Sequence, residues 1–500
     1  MKKILFILLA LCCTSCEDFL SENVRGVISP NNFYNSDQEA IQAASGLYLG
    51  FRTGNLYKGW QGISAYSFFG SDEMMPSRIF GGLSQIMDYN LTESNYGNAY
   101  SIWQDLYGVV GDANSVIANV QDNPKLSEPI KKRTLGEAYF LRALAYYHLT
   151  ALWGDVPFYL DELPLGEVAQ LDRTSVAEIR TQMVTDLKTA EGLLPSSQSG
   201  ADLGRATQWA AKFLRTRFHL WQKDWASALA ASKNIIENSP HQLMPTYEAV
   251  FDLSNQFNDE AIFGFDYKKD INGNSQDITD SFNPRLRDEP KVSSQRSAFA
   301  KALSDRSEEF NGYGLAVPLN DLIKKYPKDD LRRPLNIMTS YLGYDLTYAY
   351  LKKRTNFNFV ASPRGNHGEW WITMRLAQVY LMAAEAANEL GQADEAYTYL
   401  NRIRERAYSP AQPLAGLSQD GLRKAIQDEY KWELAGEGER RYDLIRWGIL
   451  VETVKNADYG IFNGPKNIKP HMVKLPIPQE EINLNPALLE ADPTNNGYRL

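Results

Sequence analysis

The chain has 500 residues, 44% of them hydrophobic, enough to bury a large core in roughly two or three domain-sized units. All three cysteines, at 12, 13 and 16, fall at the N-terminus, which excludes disulfides, thiolate metal clusters and a thiol nucleophile from everything downstream. A net charge of −9 with no long basic run argues against nucleic acid as the main partner, and the 28 tyrosines suit half-wet surfaces.

The first element is an address. Lys2 and Lys3 precede the apolar run Ile4 to Leu11, far shorter than the roughly 20 residues that span a bilayer. Small residues then lead into Cys16. The pattern is similar to a bacterial lipoprotein signal, with 1–15 as signal peptide and Cys16 as lipid anchor. Several acyl chains on one cysteine suffice for stable anchoring. The remainder is expected to be tethered rather than membrane-spanning.

A first helix is predicted over 36–53, where Ser36 and Glu39 form a capping-box pattern. Residues 54–96 break the helical rhythm with Gly, Tyr, Phe and polar residues, and read as a long structured insertion. Helical spacing then predicts 97–121, 128–152, 174–193, 205–221 and 224–238. The middle, about 241–370, is rich in Asn, Asp, Pro, Gly and aromatics, so only short helices or strands are expected there. Helices return at 371–390, 393–408, 418–435 and 440–455, followed by a loop-like tail.

Leu376 to Ala407 reads as two amphipathic helices meeting at Leu390-Gly391-Gln392, with Ala384 and Ala396 at close-packed positions. Residues 206–238 echo it, with the turn at Lys223-Asp224. Each segment resembles a tetratricopeptide unit, a helix pair that must stack on neighbours to bury its faces. The expected fold is therefore mainly α, with such pairs forming a superhelical scaffold and long irregular segments carrying a ligand surface.

Three stretches go further: Tyr139 to Pro157 (YFLRALAYYHLTALWGDVP), Leu376 to Ala407, and Glu429 to Gly448 (EYKWELAGEGERRYDLIRWG). With Glu17-Asp18 after the anchor cysteine and LPIPQEEINLNP at 475–486, the chain resembles the SusD/RagB family. The resemblance implies an N-terminal region 16–240 with a ligand loop at about 54–96, and a C-terminal region 241–500 with helical pairs over 371–455. It implies a non-catalytic outer-membrane lipoprotein at the cell surface. Its partners would be a SusC-type TonB-dependent barrel and an imported oligosaccharide, or in some members a peptide.

Sugar binding asks for an aromatic face against the C–H side of the ring, and planar polar groups for the hydroxyls. The candidates are Trp60, Asp72, Arg78, Phe80, Tyr89 and Tyr96 in the insertion, and Phe282 and Tyr313 in the middle, beside Asn283, Arg285 and Asn311. Tyr100, Trp103 and Tyr107 keep helical spacing and are assigned to the core. Arg78 is the leading polar candidate, because a guanidinium can fork two hydroxyls or a carboxylate.

The rival reading is a lipid-anchored glycosidase. Glu429, Glu433 and Glu437 recur at four-residue spacing, and paired carboxylates about 5–9.5 Å apart serve glycoside hydrolysis. Like charges so placed repel and need basic partners. An ion-pair lattice is the favoured reading, with Arg440 and Arg446 near in sequence, and it extends to Arg402, Arg404 and Arg406. A third reading is a tetratricopeptide adaptor without a small-molecule ligand. No two histidines have metal-ligand spacing, no nucleophile elbow or phosphate loop occurs, and Asp270 to Asp280 lacks the EF-hand pattern, so no cofactor or metal is expected.

Overall fold

The computed structural model describes residues 33–77, 81–91, 98–271, 273–357, 364–460, 464–465 and 468–490. The lipid-anchor candidate Cys16 lies outside them. Long helices form the scaffold: α1 (Asp37–Phe51), α2 (Ala99–Val120), α3 (Glu128–Leu152), α4 (Val176–Leu193), α5 (Gln208–Trp221), α6 (Trp225–Asn238), α7 (Leu376–Glu389), α8 (Ala393–Ala407) and α9 (Gln419–Glu433). Their starts are chemically marked. Ser36, Ser175, Thr207, Asp224 and Ser418 each accept a hydrogen bond from a first-turn N–H, worth ~1 kcal/mol apiece.

The helices pack in sequence order. α1 lies on α2 and α3, and the chain then runs α2 on α3, α3 on α4, α4 on α5 and α5 on α6. α6 meets α7 across the whole irregular middle, and α7 packs on α8 and α9. Both expected helix pairs are present, α5–α6 and α7–α8. Fully buried Ala210, Ala211 and Ala228 in the first, and Ala383, Ala384, Ala387 and Ala396 in the second, let the backbones approach closely. Together they form the stacked superhelix that such pairs require.

α3 is the buried centre. His148 sits between Tyr57 Oη at 2.7 Å and Tyr442 Oη at 3.2 Å, and burial drives its pKa down to about 3, so the ring is neutral. Trp153 is fully buried at the end of α3 and donates to the Pro476 carbonyl, while Leu475 N–H donates to the Leu152 carbonyl at 2.7 Å. The 475–486 motif is thus the clasp that docks the tail on α3.

Eight short strands form four antiparallel pairs among the described residues. β1 (Met74–Pro76) pairs with β5 (Ala316–Pro318), β2 (Val156–Pro157) with β3 (Arg173–Thr174), β4 (Ala261–Phe265) with β8 (Trp371–Arg375), and β6 (Met338–Tyr341) with β7 (Tyr344–Tyr350). Residues 371–375, expected to open a helix, are strand β8. Their aromatic and β-branched side chains pair with β4, and the helix begins only at Leu376. The helix expected over 440–455 is two pieces, Arg440–Arg446 and Leu450–Asn456, separated by Gly448 at φ 75. The tail after 456 is not wholly loop: it carries the short helices Gln479–Leu484 and Ala487–Glu490. No helix among the described residues is long and apolar enough to cross a membrane.

Candidate functional site

Trp60 and Tyr313 are distant in sequence but adjacent in space. Their ring centroids are 5.7 Å apart with planes at 46°, and both rings are half-buried. The short helix Ile278–Phe282 brings them together. On one side Asp277 N–H and Ile278 N–H donate to the Lys58 carbonyl, and the Asp277 carboxylate accepts Trp60 N–H at 3.2 Å. On the other, Tyr313 N–H donates to the Asp280 carbonyl, Gly314 N–H to that of Asn283, and Leu315 N–H to that of Ser281. Gly312 is required by this close approach: a Cβ there would lie 2.0 Å from the Asn283 carbonyl oxygen.

A cation completes the platform. The exposed Arg364 places its guanidinium 4.8 Å from the Tyr313 ring centroid. Nε and Nη2 donate to the carbonyls of Asn311 and Gly312 at 3.2 and 3.3 Å. The next residue is also held, since Gly365 N–H donates to Asp280 Oδ2 at 2.7 Å. Asp280 Oδ1 faces His367 Nε2 at 2.9 Å. Burial opposes charge on that imidazole, but hydrogen bonds to Asp280 and Glu369 outweigh it and lift the pKa to about 9. Burial, with Asp280 nearby, raises Asp277 to about 6. The result is an aromatic pair flanked by a fixed fork of donors and a carboxylate, able to stack a ring and hydrogen-bond its hydroxyls.

Of the residues singled out from sequence, Trp60 and Tyr313 meet here. Arg78, Phe80 and Tyr96 lie outside the described residues. Asp72, Tyr89 and Phe282 are buried and serve other ends. Asp72 is sandwiched between Arg440 and Lys431, at 2.7 and 2.9 Å; burial would raise its pKa, but the two cations hold it well below the usual carboxylate range. Tyr89 donates its hydroxyl to the Gly70 carbonyl inside a small apolar cluster. Phe282 packs edge-on against Phe68 beneath the platform. Arg285 pairs with Asp288, and Asn283 accepts Asn356 N–H. Trp103 is buried and Tyr100 and Tyr107 pack against the core, in keeping with their helical spacing. Sequence reasoning missed Asp277, Asp280 and Arg364. The only signal for Arg364 is its run of turn-forming neighbours, Gly365-Asn366-His367-Gly368.

Residues 329–498 match the model of the SusD family, and residues 71–220 match one described as starch-binding associating with the outer membrane. A SusD-like protein of Formosa agariphila is 41% identical, with 99% of each chain covered. The chain belongs to the SusD family. The starch-binding protein SusD of Bacteroides thetaiotaomicron is more distant, 24% identical over 75% of this chain and 74% of its own. In structure, a SusD homolog from the same organism superposes with a TM-score of 0.79 at 19% identity, covering 93% of this chain and 98% of its own. Surface glycan-binding protein A of that organism, solved in complex with laminarihexaose, superposes with a TM-score of 0.73 at 20% identity, covering 93% and 100%.

In this SusD-family chain Glu429, Glu433 and Glu437 of the 429–448 motif are buried in a charge lattice, while Glu439 pairs separately with Arg217. Glu433 accepts from Arg332 and Arg375 at 2.7 Å each and from Arg406 at 2.6 Å. Glu437 accepts from Arg375 and Lys353, and Glu429 meets Arg332 and Arg404. Asp330 and Glu260 complete it on Arg332, Arg375 and Arg406. Burial alone would raise Glu433 and Glu437, but the cations hold both low, Glu437 at about 2. The sequence-nearest cations are not the partners: Arg440 is spent on Asp72, and Arg446 on Glu385 and Asp443. Arg404 and Arg406 join the lattice, whereas Arg402 makes an exposed pair with Glu405.

Proposed function

We propose that this protein captures oligosaccharides on the Trp60–Tyr313–Arg364 platform at the outer-membrane surface, held there by lipid on Cys16, and passes them to a SusC-type TonB-dependent barrel for import. The observation that carries the reading is the aromatic pair with Arg364 fixed beside it. It offers a ring-stacking face and hydroxyl ligands. The full-length match to SusD-like relatives supports it, as does the fold shared with a laminarihexaose-binding protein. Arg78, Phe80 and Tyr96 remain proposed contributors from the same loop. The protein works as a binder: the glutamates a glycosidase would need are each engaged by two or more cations in the core.

The test is calorimetry of the purified chain against laminarihexaose, maltohexaose and a peptide library, with chromatography for product. One or more oligosaccharides bind unchanged, and Trp60→Ala and Tyr313→Ala each weaken binding tenfold or more at unaltered melting temperature. Binding confined to peptides supports the peptide-uptake reading instead. Normal glycan binding by both variants rules out the platform.

A further inference from the structure

On the other face of the helix Ile278–Phe282, where Thr279 rather than Asp277 points, lies an open cleft of about 540 Å³. Its walls carry Phe251, Phe357, Trp370 and Trp371, with Gln256, Thr355 and Asn356 between them. None of these residues belongs to the Trp60 platform. The volume lies within the roughly 300–1,000 Å³ of small-ligand sites, and the mixture of aromatic faces and amides suits a sugar ring.

Among the described residues, one charge in the cleft is unspent. The Arg354 guanidinium lies flat against Trp371 at 4.2 Å, and its Nε donates to the Gly436 carbonyl at 3.2 Å. Those contacts fix its orientation. Among the described residues its Nη2 has no hydrogen-bond partner and is withdrawn from solvent, while the side chain as a whole is only half-buried. The described acids around it are engaged elsewhere. Glu437 is held by Arg375 and Lys353, and Glu369 by Gln276, Thr279, Asn356 and His367. Glu248 lies 3.5 Å from Lys352, and Asp252 caps Ser254. A buried donor left unmade costs about 1–3 kcal/mol, more when charged, and an anion on the ligand relieves that cost.

We propose that this cleft is a second saccharide site, selective for a sugar bearing an oxyanion, with the carboxylate or sulfate received by Arg354 and the ring lying on the aromatic walls. The inference rests on the glycan-binding reading but not on the platform residues. Carboxylate and sulfate share the chemistry that Arg354 recognises, and the probes separate them.

The experiment titrates the full chain with trigalacturonate, with a sulfated carrageenan tetrasaccharide and with neutral laminarihexaose, using wild type, Arg354→Gln and Trp60→Ala. At least one acidic probe binds, and Arg354→Gln weakens it tenfold or more relative to laminarihexaose. The probe that binds names the oxyanion. Because Arg354 also braces Trp371, hydrogen–deuterium exchange on the unaltered protein supplies a second reading: the acidic probe protects 352–357 and 369–372. Laminarihexaose binding that depends on Trp60, with no acidic probe bound, overturns the cleft and leaves the platform standing. Acidic binding indifferent to Arg354→Gln, or without protection of those segments, also overturns it. Failure of every saccharide removes the glycan reading and the cleft with it.

Discussion

Replacing Glu433 by Gln tests whether the buried glutamates hold the fold or do chemistry. The lattice balances five carboxylates (Glu260, Asp330, Glu429, Glu433, Glu437) against five cations (Arg332, Lys353, Arg375, Arg404, Arg406). Glu433 Oε1 serves Arg375 and Arg406, and Oε2 serves Arg332. An amide keeps the first oxygen but turns an NH2 toward the Arg332 fork, donor against donor, and leaves one positive charge uncompensated in the core. Breaking one partner of a buried pair costs about 3–5 kcal/mol. The assay is urea unfolding followed by tryptophan fluorescence. At pH 7 the variant loses about that much. The two carboxylates have depressed folded pKa values, so their stabilisation is present above the ordinary glutamate value of 4.5 and is lost as pH falls through the folded value, about 2 for Glu437. The gap between wild type and variant therefore narrows below pH 4.5. An unchanged urea midpoint at pH 7 refutes the lattice argument. Sugar release by wild type that disappears in a normally folded variant refutes the binding-protein reading.

Glu73 is fully buried; burial, reinforced by Asp72 and opposed by Arg440, raises its pKa to about 8. A raised carboxylate stabilises fully below pH 4.5 and loses that contribution as pH rises through 8. Glu73→Gln accordingly gains stability over wild type across that window, by roughly 3–5 kcal/mol at pH 9 in urea titrations. His367, raised to about 9, contributes stability that is complete below 6.5 and fades as pH climbs through 9. Asp280→Asn removes its nearer carboxylate, and the slope of melting temperature against pH between 6.5 and 9 flattens. Gly312→Ala forces a Cβ against the Asn283 carbonyl and displaces Tyr313, so calorimetry shows a tenfold or greater loss of oligosaccharide affinity.

The scaffold was legible because its signals are local. Caps such as Ser36 and Asp224, and alanine-rich periodic faces, predict helix ends and packing sides without reference to distant residues. The departures arose where a distant partner decides. Trp371–Arg375 is apolar enough for either structure, and only β4, over a hundred residues earlier, makes it a strand. The proposed platform was half legible. Aromatics in Gly-rich and polar surroundings pointed to Trp60 and Tyr313, but Asp72, Tyr89 and Phe282 carry the same local signature and are core. What separates them is the tertiary supply of partners, Arg440 and Lys431 for Asp72 and Phe68 for Phe282, which spacing along the chain does not encode. The lattice shows the same limit: four-residue spacing flagged the glutamates, while Arg332 and Arg375 come from other segments.

The sandwich of Asp72 between Lys431 and Arg440 has a consequence for how the chain is made. Asp72 leaves the ribosome more than 350 residues before its two cations, and β1 precedes its partner β5 by about 240 residues. Contacts of such high order are slow to form and cannot be replaced by local ones. An N-terminal fragment, however helical, would carry an orphaned carboxylate and an open strand edge at its centre. Asp72 and β1 therefore settle last, after the final helices are in place. Until then the chain is an aggregation-exposed intermediate of the kind that chaperones attend.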